Sequence, residues 1–170
     1  MAARISPRAS TTELTAIGSR ERPDVIGFRS NCSAVIECKV SRGDFLAERR
    51  KPERASGGLG VYRFYLCPEG LIDDCDLPPR WGLLHAVGRT VKAVVAPMGN
   101  LWPPVGIPDE QTHLYTDWLK YQHQPNQYAE RQILYSIARR LSGNGARGCE
   151  LATALALLRA CFGTSSNDGR

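Results

Sequence analysis

The chain has 170 residues, of which 42% are hydrophobic and 23% charged, and its formal net charge is +5. That length fits one domain with a sizeable core, and the basic balance suits a phosphate-rich partner without requiring one. No apolar run is as long as a membrane span, and Met-Ala-Ala-Arg-Ile-Ser-Pro-Arg lacks an apolar signal core, so the expectation is a cytoplasmic protein with no membrane partner.

In chain order, residues 1–9 read as a flexible arm and residues 10–17 as a short helix before Gly18. Val25–Phe28 and Ala34–Val40 are short runs rich in β-branched residues, which favours strands. Arg29-Ser30-Asn31-Cys32 between them is a polar turn. A turn centred between Ser30 and Asn31 sets Phe28 opposite Ser33, Ile26 opposite Val35 and Asp24 opposite Glu37. Directly opposed residues have Cβ atoms roughly 4.5–5.5 Å apart. Alternation places Val35, Glu37 and Lys39 on one face and Ala34, Ile36, Cys38 and Val40 on the other, an apolar face suited to the core.

Ser41 can cap a helix whose body is Asp44–Lys51, ending near Pro52. Ala55–Gly60 is a glycine-rich loop without the phosphate-loop pattern. Val61–Cys67 reads as a strand, and Trp81–Val87 with Thr90–Ala96 as a second hairpin joined at Gly88-Arg89. Residues 97–108 form a proline-rich loop, and residues 109–122 a short helix. Tyr128–Leu141 has helical periodicity, with Ile133, Leu134, Ile137 and Leu141 on one stripe. After the break at Ser142–Gly145, Glu150–Cys161 is an apolar helix that suits burial in this chain or against a second copy as a homodimer, and residues 163–170 read as a flexible tail.

The chemistry concentrates at Asp24, Glu37 and Lys39. Two opposed carboxylates repel unless a cation lies between them. Their oxygen donors suit Mg²⁺ or Mn²⁺. Lys39 is close enough to steady a phosphate or a nucleophile. Asp24, after proline, could instead simply open a strand or cap a turn. Glu37, inside an apolar strand, requires a partner, for which Lys39, Arg63 or a metal would serve.

Pro23-Asp24 followed by Glu37-Cys38-Lys39 resembles the signature of the PD-(D/E)XK nuclease superfamily. The stretch through Ser41, Asp44-Phe45, Tyr62-Arg63-Phe64-Tyr65 and Trp81-Gly82-Leu83-Leu84 also resembles bacterial MmcB-like DNA-repair proteins and related phage proteins. The likeness spans residues 10–100, with 101–162 as a loop and helical C-terminal extension of the same domain. It implies an α/β restriction-endonuclease-like core, a central mixed sheet flanked by helices. It further implies Asp24, Glu37 and the Cys38 backbone carbonyl as metal ligands, and Lys39 as the catalytic lysine. Glu13 is the candidate for an added glutamate from a preceding helix, although Thr11-Thr12-Glu13 also suits a helix first turn.

Arg42, Arg49, Arg50, Lys51, Arg54 and Arg63 are the candidate phosphate contacts, set against Asp44, Glu48 and Glu53. Such contacts position a nucleic acid without reading its sequence. Tyr62, Phe64, Tyr65, Trp81 and Trp102 could stack on bases, with core packing the stronger expectation for Phe64 and Trp81. The six cysteines form no C-x-x-C pair and lie apart from the histidines, which argues against zinc. The sequence therefore points to Mg²⁺- or Mn²⁺-dependent hydrolysis of DNA. RNA cleavage and nucleic-acid binding without cleavage are the alternatives.

Overall fold

A computed structural model describes residues 21–48 and 57–143. It is an α/β fold whose five-stranded mixed sheet is flanked by helices. The strands are β1 (Val25–Phe28), β2 (Ser33–Cys38), β3 (Tyr62–Pro68), β4 (Trp81–Val87) and β5 (Thr90–Val95), in the order β1-β2-β3-β4-β5. The outer pairs are antiparallel hairpins, and β2-β3 and β3-β4 are parallel. The carboxyl ends of β2, β3 and β4 therefore share one end of the sheet.

The first hairpin has the register expected from its polar turn: Phe28 pairs with Ser33 and Ile26 with Val35. Trp81–Val87 forms a strand over the bounds read from the sequence, and Val87 pairs with Thr90 across Gly88-Arg89. Helix α1 (Arg42–Glu48) starts where Ser41 can cap it, and the Asp44 N–H donates to Ser41 Oγ at 3.2 Å. Helix α2 is the single turn Thr116–Leu119, preceded by a 3-10 segment at Asp109–Leu114. Helix α3 covers Gln127–Gly143. Asn126 Oδ1 accepts the Ala129 N–H at 3.0 Å, an N-terminal cap of the usual kind.

Alternation in β2 and β3 divides the core between two sides of the sheet. On one side Ala34, Ile36, Tyr62, Phe64 and Leu84 pack with Trp102 and with Trp118 of α2. On the other, Phe45 of α1 packs on Tyr65, Leu83 and Trp81, while Ala129 and Ile133 of α3 pack on Val35 and Leu59. Both faces of β2 are thus covered. The expected single core face of Ala34, Ile36, Cys38 and Val40 is corrected on this point. Ala34 and Ile36 are buried, but Cys38 is exposed and Val40, beyond the strand end, is 83% exposed. The face carrying Glu37 and Lys39 is itself buried, because α1 and α3 lie over it.

Gly82 allows β3 and β4 to carry large neighbours. A Cβ there would land on the Phe64 ring and 2.8 Å from the Val95 carbonyl oxygen. Gly60 has φ +85°, a left-handed conformation that glycine adopts without strain. It feeds the chain into β3 while its N–H donates to Glu130 Oε1 at 2.8 Å. Ser33 Oγ donates to the same carboxylate oxygen at 2.6 Å and accepts the Val61 N–H at 3.1 Å, so α3, β2 and the entry to β3 are joined through one polar junction.

The expected helix at residues 10–17, the apolar helix at 150–161 and the two tails lie outside the described residues. Among the described residues no helix is long and apolar enough to cross a membrane.

Candidate functional site

The β1–β2 hairpin brings Asp24 and Glu37 to the same end of the sheet. Carrying the observed register one residue past the Val25–Ile36 pair sets Asp24 opposite Glu37. Asp24 is exposed, and its Oδ2 accepts the Cys38 N–H at 2.8 Å, which fixes the carboxylate against the last residue of β2. The Lys39 N–H donates to the Leu66 carbonyl at 2.8 Å, so the backbone of Lys39 remains anchored to β3 just beyond the strand end.

Glu37 and Lys39 point to the face covered by α1. Glu37 is 3% and Lys39 4% exposed. Lys39 Nζ lies 3.6 Å from Glu37 Oε2 and 3.5 Å from Oε2 of Glu48, the buried last residue of α1. A lysine between two buried carboxylates is strongly restrained, because each charge would be costly to bury alone. Glu37 therefore meets the partner requirement raised by its place in an apolar strand, and Lys39 is one such partner.

Glu48 did not stand out in the sequence, where it reads as one of the anions offsetting a basic run. The available signal was its spacing. Glu48 lies three residues after Phe45, so the two share a helix face, and Phe45 is fully buried. Glu21 was missed for a different reason. Nothing local marks it, because its partners come from distant elements: Arg63 NH1 at 3.8 Å and the Leu59 N–H, which donates to Glu21 Oε2.

The proposed phosphate contacts separate. Arg63 is 1% exposed, packed over Trp81 and paired with Glu21. That burial removes it from any surface contact with a nucleic acid; its place on β3, between β2 and β4 and under a helical layer, is the cause. Arg42 is exposed, and Asp76 grips its guanidinium in a two-point ion pair, with NH2 to Oδ1 at 2.6 Å and a second bond from NH1 to Oδ2. The bond to Asp76, with further attraction from Asp76 and Asp73, raises the Arg42 pKa. Arg49, Arg50, Lys51, Arg54 and Glu13 lie outside the described residues. The aromatic side chains offered for base stacking are core residues: Tyr62, Phe64, Tyr65, Trp81 and Trp102 are all buried.

The donor set at the hairpin end suits a hard divalent cation in its chemistry. It consists of the Asp24 and Glu37 carboxylates with the carbonyl of Cys38, the residue that follows Glu37. One Asp24 oxygen is committed to the Cys38 N–H, so the other is the donor a cation would use. Among the described residues, no group of three or more His, Cys, Asp or Glu side chains is arranged to hold a metal ion. The expected set has two such side chains here together with the Cys38 carbonyl, and any further ligands would be water. Cys38 keeps an exposed edge, yet its thiol is desolvated enough, and near enough to Asp24 and then Glu37, for its pKa to rise to about 11. It is therefore a neutral thiol at physiological pH and not a thiolate ligand.

The two buried histidines, His85 and His123, serve the scaffold. His123 Nε2 lies 3.2 Å from the Arg80 carbonyl and its ring meets Trp81 edge-on, while His85 Nε2 lies 3.3 Å from the Ile72 carbonyl.

No family model matches the chain, and no curated protein matches it. Among solved structures, the SPO1766 protein of unknown function from Silicibacter pomeroyi is similar at 22% identity and a TM-score of 0.44, over 73% of this chain and 70% of that one. A likeness at that level carries no argument about activity.

Proposed function

We propose that the chain is a metal-dependent nuclease of the PD-(D/E)XK type that hydrolyses phosphodiester bonds of DNA. The observation that carries this reading is the convergence of Asp24, Glu37 and Lys39 at one end of the β1–β2 hairpin, with the Asp24 carboxylate bonded to the Cys38 N–H at 2.8 Å. Asp24, Glu37 and the Cys38 carbonyl would hold Mg²⁺ or Mn²⁺. When bound, the cation supplies Lewis-acid polarisation of the scissile phosphate. The chain supplies the rest. The Asp24 bond to the backbone preorganises one carboxylate, so little rearrangement is needed to present its second oxygen. Lys39 carries a positive charge 3.6 Å from Glu37, from which it would donate to a phosphate oxygen and stabilise the negative charge that builds on the phosphoryl oxygens.

One observation favours a second reading, a nucleic-acid-binding protein that does not cut. Lys39 is engaged by Glu37 and Glu48 together, an arrangement that also serves as a purely structural ion cluster. Digestion of single-stranded, duplex and branched DNA, and of RNA, in Mg²⁺ or Mn²⁺ and in EDTA separates the readings. The nuclease reading expects metal-dependent product from a DNA substrate. Binding to DNA with no product under any metal condition would replace it with the second reading, and product from RNA alone would change the substrate class.

A further inference from the structure

We infer that Glu48 is a positioning residue that holds the Lys39 ammonium at the site. The inference deepens the nuclease reading and rests on it for the meaning of the position, though not for the contact itself. Glu48 is 6% exposed and closes α1, and its Oε2 lies 3.5 Å from Lys39 Nζ. Lysine carries its ammonium on a flexible four-carbon stem with much rotamer freedom. A single contact at 3.6 Å to Glu37 would leave the ammonium able to swing about that carboxylate. A second carboxylate from a different element removes that freedom.

The two carboxylates also have different supports. Glu37 sits within β2, whereas Glu48 is carried by α1, whose Phe45 packs edge-on against Tyr65 of β3 with ring centroids 5.1 Å apart. Ser41 caps α1 at its other end. The helix therefore has fixed points at its cap and its buried face, and it delivers Glu48 to a defined place above β2. If Glu37 also takes a cation, its charge is shared with that cation, and Glu48 becomes the anion that keeps Lys39 in place. Glu48 acts through Lys39 and is assigned no contact with substrate or metal.

The test uses the full chain as wild type, Glu48→Gln and Glu48→Asp. Glutamine keeps the shape and removes the charge; aspartate keeps the charge on a shorter stem. The first readout is acylation of lysines by an amine-reactive ester, followed by mass spectrometry, with Lys92 and Lys120 as exposed internal standards. The expected result is a rise of about tenfold or more in Lys39 labelling in Glu48→Gln, with the standards unchanged and the melting transition still cooperative, and partial protection restored in Glu48→Asp. The second readout is steady-state cleavage. A misplaced catalytic group costs on the order of 10²-fold in kcat with KM nearly constant. The third is Mn²⁺ binding followed by electron paramagnetic resonance, expected to be unchanged in Glu48→Gln. Equal protection of Lys39 in wild type and Glu48→Gln would overturn the assignment. So would a rise in KM at constant kcat, or loss of Mn²⁺ affinity, which would make Glu48 a ligand. Should wild type cut no nucleic acid, the nuclease reading fails, while the labelling result still decides whether Glu48 holds Lys39.

Discussion

Glu21 and Arg63 form a buried ion pair that joins the segment before β1 to the middle of the sheet. Glu21 is 3% exposed and also accepts the Leu59 N–H; Arg63 is 1% exposed and donates from Nε to the Gly60 carbonyl at 3.3 Å. Glu21 lies two residues before Pro23, so the pair helps set where β1 begins and where the Asp24 carboxylate stands. Breaking a buried pair from one side typically costs about 3–5 kcal/mol, because the remaining charge stays in a poorly solvated place. Glu21→Ala is therefore expected to lower unfolding free energy by about that amount in urea titration. A change below about 0.5 kcal/mol, the range of ordinary surface substitutions, would show that the pair does not support the fold. This pair also explains why Arg63 could not be placed from sequence: cation content suggested a surface contact, and only the neighbouring strands reveal that its side chain is enclosed.

At the scale of elements, the hairpins were legible because their signals are local. Alternation, β-branched residues and a polar turn fixed β1 and β2, and the sum of paired positions placed Asp24 opposite Glu37. Helix α1 was readable from Ser41 and the residues after it. The burial of both faces of β2 was not legible, because it depends on α3, more than ninety residues further along the chain (Ser33 to Glu130 is a separation of 97). The alternating pattern of β2 assigns only the Ala34, Ile36, Cys38 and Val40 face to the core, whereas a central strand with parallel pairing is covered on both. Tight packing between β3 and β4 gives a second prediction. Gly82→Ala places a methyl on the Phe64 ring and close to the Val95 carbonyl. Overpacking of this kind costs about 1–3 kcal/mol. The melting temperature of Gly82→Ala should fall by several degrees, and an unchanged value would mean that β3 and β4 can part without cost.

Considered as a whole, the molecule joins two hairpins through a pair of parallel strand contacts and closes the sheet with packing on each face. Beside the start of β4, His123 is held neutral. Its pKa is pushed down to about 4, first by burial and then by the Arg63 charge, with Arg80 adding to the effect, while the bond to the Arg80 carbonyl opposes it. The unfolded chain protonates this histidine near 6.5 and the folded one only near 4. Stability is therefore fully retained above about 6.5 and lost as pH falls from there towards about 4. Each tenfold weakening of proton affinity corresponds to about 1.4 kcal/mol, so the loss approaches about 3 kcal/mol. Urea titrations at several pH values should show a steeper acid loss for wild type than for His123→Gln, which removes the titration and keeps a donor for Arg80. Parallel curves would show that His123 does not contribute.

The convergence of Asp24, Glu37 and Lys39 at the hairpin end is the whole-molecule feature on which the proposed activity depends. It is tested most directly by the single-turnover rate of DNA cleavage in Mn²⁺ for wild type, Asp24→Asn and Glu37→Gln, each checked for a cooperative melting transition. Wild type should cut, and both variants should lose at least about 10³-fold in rate, since each removes a carboxylate that would hold the cation and thereby its stabilisation of the transition state. Cleavage at the wild-type rate by either folded variant would contradict the account.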